Sequence, residues 1–186
     1  MKSYLLSLLL IFCSAASLSA QSAYFVEPAS GSNSADGSEG TPFRSLTFAL
    51  TQAVAGDSIT LRAGTFSIAE TFPILLKNQV SIGAFSGEVP VFDGGGSGTL
   101  FRVNQNITAE TIISGVTFAS CRIGLDIPAG ASVQGLTIQQ CSFSGFIDSS
   151  VGANDGFGII AVLNSGGTSE SLTIDQCTFQ GGGAFA

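Results

Sequence analysis

The sequence predicts an all-β solenoid, short strands wound into stacked coils behind a single opening helix, and three observations carry that prediction. Apolar alternation comes in bursts of three to six residues, each bounded by Gly, Ser, Asn, Asp or Pro, as strands between turns are. The last apolar residues of the strongest bursts, Leu61, Ile82, Phe118, Ile138 and Ile174, recur at intervals of 21, 36, 20 and 36 residues. Repeats of that length mark coils that bury their apolar faces only by stacking on one another. Finally, TIQQCSFSG at 137–145 returns as TIDQCTFQG at 173–181, with a worn copy, TFASCRIG, at 117–124. A β-sandwich with irregular loops is the competing arrangement. Helix bundles fit poorly, because charged residues are only 10% of a chain that holds 24 glycines.

Residues 1–20 pair Lys2 with an apolar run at 5–12 and a small-residue exit ending Ser19, Ala20, the pattern of a secretory signal peptide cleaved before Gln21. The run falls well short of the roughly 20 residues a membrane-spanning helix needs. Phe12 also stands where lipoprotein processing at Cys13 would want a small residue. The mature chain is therefore expected to be secreted, extracellular or on a cell surface, with the periplasm as a further destination, and to have no membrane partner. Residues 21–57 contain a strand (AYFVEP), a small-residue loop and one helix. Leu46, Ala49, Leu50, Ala53 and Val54 follow helical spacing, Ser45 is the N-cap, and Gly56 stops the helix in a left-handed turn.

Residues 58–186 form the coils. Their strands are read at SITL 58–61, VSI 80–82, PVF 90–92, LFRV 100–103, GVTF 115–118, GLTI 135–138, GIIAVL 158–163 and SLTI 171–174. The long intervals read as a coil of about 20 residues carrying an insertion, in the last case the polar loop DSSVGANDG at 148–156. In LTIQQCSF, Leu136 and Ile138 alternate inward, and one extra residue at Gln139 and Gln140 turns the chain so that Cys141 and Phe143 face inward again. The same phase stacks Cys121, Cys141 and Cys177 as a ladder of buried thiols, with Phe143 and Phe179 in a second ladder. A disulfide is the alternative in an exported chain. Three mature cysteines leave one unpaired, however, and rungs about 4.8 Å apart suit disulfide geometry poorly.

The chain has no histidine and no tryptophan, which excludes Ser/His/Asp hydrolysis, Cys/His catalysis and Cys/His zinc sites in their usual forms. Five basic residues against thirteen acidic ones leave the mature chain at −8, a poor match for nucleic acid.

Gly31, Asp36 and Gly37, then Gly40, Thr41, Pro42 and Phe43, the Leu46/Ala49 helix, AGDSI at 55–59, RAGTF at 62–66, Phe72 with Pro73, and Asp93 with Gly94 form an ordered series. That series resembles the start of an uncharacterised domain family within the pectate-lyase-like right-handed parallel β-helices. The resemblance covers 24–98, and extends through the coil repeat to the end of the chain. It implies a right-handed parallel β-helix whose mouth is covered by the helix at 45–55. It also implies that the far end is covered by C-terminal coils or by another chain.

Members of that superfamily with known activity include polysaccharide lyases, and the general fold also hosts glycosidases and adhesins. A lyase would need a Lys or Arg base and neutralisation of a uronate carboxylate, often by calcium. Here the residues available for catalysis are Arg122, Asp126 and Asp175, and those for calcium are Asp148 and Asp155. Asn154, Asp155 and Gly156 equally make a turn. Arg62 and Asp93 read as coil-turn residues and Lys77 as a solvated turn residue. The Glu170 and Asp175 spacing indicates no glycosidase pair. The expected function is a non-catalytic exported β-helix module that binds extended polysaccharide or serves as a stalk. The alternative is the opening part of a lyase acting on acidic polysaccharide.

Overall fold

The computed structural model describes residues 20–96, 98–145, 158–162 and 171–180. Residues 1–19, the segment at 146–157 with Asp148 and Asp155, and Glu170 lie outside the described residues.

After β1 (Ala23–Val26) and α1 (Leu46–Gln52) the chain winds through five coils, each placing one strand on each of up to three faces. The first coil holds β2 (Ser58–Leu61), β3 (Gly64–Phe66) and β4 (Ile74–Leu75), and the second β5 (Ser81–Ala84), β6 (Pro90–Asp93) and β7 (Thr99–Arg102). The third holds β8 (Thr111–Ser114), β9 (Thr117–Ala119) and β10 (Ile123–Ile127). The fourth holds β11 (Gln134–Gln139), β12 (Ser142–Ser144) and β13 (Gly158–Val162), and the fifth β14 (Ser171–Asp175) and β15 (Thr178–Gln180). The first face is the sheet β1-β2-β5-β8-β11-β14, the second β3-β6-β9-β12-β15 and the third β4-β7-β10-β13. Every pairing between these strands is parallel. The molecule is a right-handed parallel β-helix, with one helix among the described residues.

Inside, identical side chains stack from coil to coil. On the first face Ile59, Ile82, Ile113, Ile138 and Ile174 form one column, giving intervals of 23, 31, 25 and 36 residues. This corrects the register read from the sequence: Leu61 pairs with Ala84, and Phe118 belongs to the second face. There Phe66, Phe92, Phe118, Phe143 and Phe179 stand in register. The Phe118 and Phe143 rings stack with centroids 4.6 Å apart and planes 3° from parallel. Such pairs contribute about 0.5–1.5 kcal/mol beyond their buried area.

The corners between faces require a left-handed residue, and the chain supplies it without always using glycine. Gly115 (φ 70°), Gln140 (φ 54°) and Gln176 (φ 51°) turn the chain from the first face to the second. Ser120 (φ 50°) and Gly145 (φ 65°) turn it from the second to the third. The phase shift expected at Gln139 and Gln140 is thus a left-handed bend at Gln140. It places GVTF at 115–118 across a corner, not in one strand.

The same corners break the three-cysteine ladder. Ser142 N–H donates to Val116 O (2.9 Å) and Thr178 N–H to Cys141 O (2.9 Å), so the column at the first corner is Val116, Cys141, Cys177. Cys121 follows Ser120 at the next corner. The worn copy TFASC aligns by residue type but not in space: Thr117 stands beside Ser142, not beside Thr137.

The helix closes the first coil. Ser45, in extended conformation (φ −129°, ψ 144°), accepts the Phe48 N–H on its side chain, and Leu46, Ala49, Leu50 and Ala53 are buried. Val54 lies past the C-cap and is 50% exposed, so it leaves the helical stripe. Glu70 accepts the Leu46 N–H at Oε1 (2.7 Å) and the Thr47 N–H at Oε2 (2.8 Å), a carboxylate held on the positive end of the helix. Lys77 Nζ donates to Leu50 O (3.3 Å) and to Ala53 O at the other end. Lys77 is therefore a helix-capping residue, which corrects its reading as a solvated turn.

Burial raises the Glu70 pKa above 4.5 against the opposing hydrogen bonds from Thr47 and Leu46. The folded chain then binds this proton more tightly than the unfolded one, so this group makes stability fall as pH rises through 4.5 and above. Thermal unfolding of Glu70→Gln followed over that window is expected to lack this decline.

Candidate functional site

The outer side of the first face is a long surface on which the strand registers align outward residues of successive coils. Alternation sends Ile59 and Leu61 inward and Ser58 and Thr60 outward, and the parallel registers repeat this coil after coil. One transverse row runs Phe25, Thr60, Gly83, Ser114, Gln139, Asp175. Beside it runs a second row that includes Ser58, Ser81, Ile112, Thr137 and Thr173. Between them lies a hollow of about 260 Å³, lined by Ser58, Thr60, Ser81, Gly83, Ile112 and Ser114 among others. Gly83 makes the hollow: a Cβ there would meet Ser114 Oγ at 2.9 Å, so the missing side chain leaves space that neighbouring hydroxyls face. Six rungs at about 4.8 Å each make a strip about 24 Å long. At its N-terminal end Phe25 packs towards Phe85 with ring centroids 6.4 Å apart.

A second groove, of about 320 Å³, lies between α1 and the third face and is lined by Leu50, Thr51, Pro73, Leu75, Lys77 and Asn104 among others. Its cation already serves the helix carbonyls.

Of the residues expected to be catalytic, Asp175 stands on the first face, Asp126 on the third, and Arg122 at the corner just before Asp126's strand. Asp126, on the outward phase of β10, is held by Arg102, whose Nε and Nη2 both lie 2.6 Å from Asp126 Oδ2. Arg102 was not among the residues singled out from the sequence. Its only signal is its position 24 residues before Asp126, one coil away. Arg122 stands at the corner between the second and third faces, its N–H bonded to Gly98 O (3.0 Å). It is four residues from Asp126, about 13 Å along extended chain. Asp175 ends β14 on the first face, exposed, with its backbone carbonyl accepting the Gln140 N–H (2.9 Å). Among the described residues no three His, Cys, Asp or Glu side chains come together as a metal-ion site.

Arg62 and Asp93 are built into turns. Arg62 pairs with Glu39 (2.9 Å) and Glu88 (3.0 Å) and lies 3.7 Å over the Phe85 ring. Asp93 Oδ1 accepts the Gly95 N–H (2.9 Å).

Cys121, Cys141 and Cys177 are free. The Cys141 thiol donates to Gln139 O (3.3 Å) and that of Cys177 to Asp175 O (3.4 Å). Burial pushes the Cys121 and Cys141 thiols up to about 12, with Asp93 adding to the shift at Cys121. Both therefore stay protonated and unreactive at neutral pH. Alkylation with iodoacetamide at pH 8 is expected to spare Cys121 and Cys141 in the folded chain and to modify both in denaturant, as mass spectrometry of the digested chain would show.

The fold defines a pectate-lyase-like parallel β-helix, and its described part presents a long first face whose two outward rows carry one charge, Asp175. Within that class the chain belongs to the family described as "Protein of unknown function (DUF1565)", whose model matches residues 29–181. A solved structure titled "Rhamnogalacturonan lyase" is similar at a TM-score of 0.50 and 16% identity. The match covers 84% of this chain and 56% of that one, so the chain spans little more than half the length of the structure it resembles. No curated protein matches the chain.

Proposed function

We propose that this chain is a non-catalytic, exported β-helix module that lays an extended polysaccharide along the outer strip of the first face. The observation that carries the reading is the hollow at Gly83, where hydroxyls of Ser58, Thr60, Ser81 and Ser114 from three successive coils face one space. Sugar hydroxyls pair with such donors and acceptors at each rung, and flat apolar sugar faces suit the small side chains between them. The solved structure of similar fold is named for a lyase of rhamnogalacturonan, a polysaccharide. The engagement of Asp126 by Arg102 and the place of Asp175 on a different face support a binding role over a lyase.

Retention of the chain on a panel of immobilised polysaccharides tests this, with the soluble fraction assayed for unsaturated sugar ends. Gly83→Leu puts a side chain into the hollow, its Cβ meeting only the Ser114 hydroxyl, so it is expected to keep the fold and weaken retention about tenfold or more. Unsaturated ends released by the unaltered chain, or undiminished retention of Gly83→Leu, would refute the reading.

A further inference from the structure

The strip's electrostatics say more than its shape. The outward positions of the two rows are hydroxyl, amide, glycyl or apolar, apart from a single charge, the exposed carboxylate of Asp175. No lysine or arginine occupies these positions. Three of the mature chain's five cations are paired with other groups, Arg62 among them although it borders the first row two residues beyond Thr60. Lys77 caps α1, Arg102 is bound by Asp126 on the third face, and Arg62 is neutralised by Glu39 and Glu88. Arg44 lies in the loop before the helix and Arg122 at the corner between the second and third faces. The whole chain is acidic, at −7.

A polymer of uronic acids brings a carboxylate on every sugar. Laid along this strip, it would meet one bordering cation, Arg62, already neutralised by Glu39 and Glu88, and would approach Asp175 across less than the roughly 8–10 Å screening length of ordinary buffers. Like charges brought together at an interface cost several kcal/mol and reject the wrong partner. An uncharged glycan carries no such cost and uses the same hydroxyl-lined furrow. Resting on the polysaccharide-binding reading above, we infer that the first face selects neutral glycans and discriminates against uronate polymers.

The test compares two polymers that share a backbone and differ in charge: polygalacturonate and its fully methyl-esterified form. A neutral β-glucan is the third probe. Affinity electrophoresis of the full chain is run at low salt, with calcium and with chelator. Retardation by the ester or the β-glucan is expected to exceed that by the acid about tenfold or more, with the gap narrowing as salt rises. Asp175→Asn, which removes the one carboxylate of the two rows and lies outside the hollow, is expected to raise retardation by the acid polymer relative to that by the ester.

Equal or stronger binding of the acid form, or acid binding that appears only with calcium, would overturn the charge selectivity while leaving polysaccharide binding intact. No retardation by any polymer would overturn the platform reading, and the selectivity with it.

Discussion

Phe118→Ala is expected to destabilise the protein by about 4 kcal/mol, the range for deleting a fully buried phenylalanine. Phe118 is fully buried at the middle of the aromatic column. It stacks on Phe143 at 4.6 Å, meets Phe101 edge-on at 5.2 Å and lies 6.5 Å from Phe92. Truncation therefore removes contacts to the coils on both sides and to the third face. The resulting cavity has little means of collapse, because strands above and below are held by parallel hydrogen bonds. Phe179→Ala, in the same column but 49% exposed, is expected to cost about 1–2 kcal/mol. Urea unfolding of both variants gives the comparison. Equal losses would mean that the column does not act as a continuous core.

Arg102→Met is expected to cost about 3 kcal/mol, and Arg102→Met combined with Asp126→Leu to lie within about 1 kcal/mol of the unaltered protein. The asymmetry follows from burial: the Asp126 side chain is 5% exposed and the Arg102 side chain 45%. Removing the guanidinium strands a carboxylate that has little access to water. Removing both charges leaves an apolar outward patch on neighbouring strands. A double-mutant cycle by chemical denaturation measures the coupling. Additive losses from the two single changes would show that the pair is not a structural unit, and would return Asp126 to consideration as a functional group.

Much of this architecture was legible in the chain. Ser45 and the Leu46/Ala49/Leu50 stripe announced the helix because capping and helical spacing act within a few residues, whereas the helix stops at an extended Ala53 and Gly56 turns the chain three residues later. The strands at 58–61, 135–138 and 171–174 showed because two-residue alternation is equally local. The Phe column was less visible. Phe66, Phe92, Phe118 and Phe143 stand 26, 26 and 25 residues apart, a cleaner period than that of the aliphatic residues first used to align the coils. Strands β3, β4 and β10 are short or carry no clear alternation, and they appear only where a neighbouring coil pairs with them.

The cysteines mark the boundary between what the two levels decide. By itself the sequence determined a solenoid of parallel coils, its opening helix, and a bend ahead of a buried cysteine, because each depends on residues close along the chain. Only the tertiary structure decided that Cys121 takes a different corner from Cys141 and Cys177, that Arg102 serves Asp126, that Lys77 caps the helix, and that Gly83 opens a hollow on the outer face. Each of these depends on which residues lie one coil apart. In this chain one coil spans 23 to 36 residues along the aliphatic column of the first face. Register is restored after every insertion by left-handed corner residues and by strand hydrogen bonds, not by constant spacing, so the count along the chain cannot supply it.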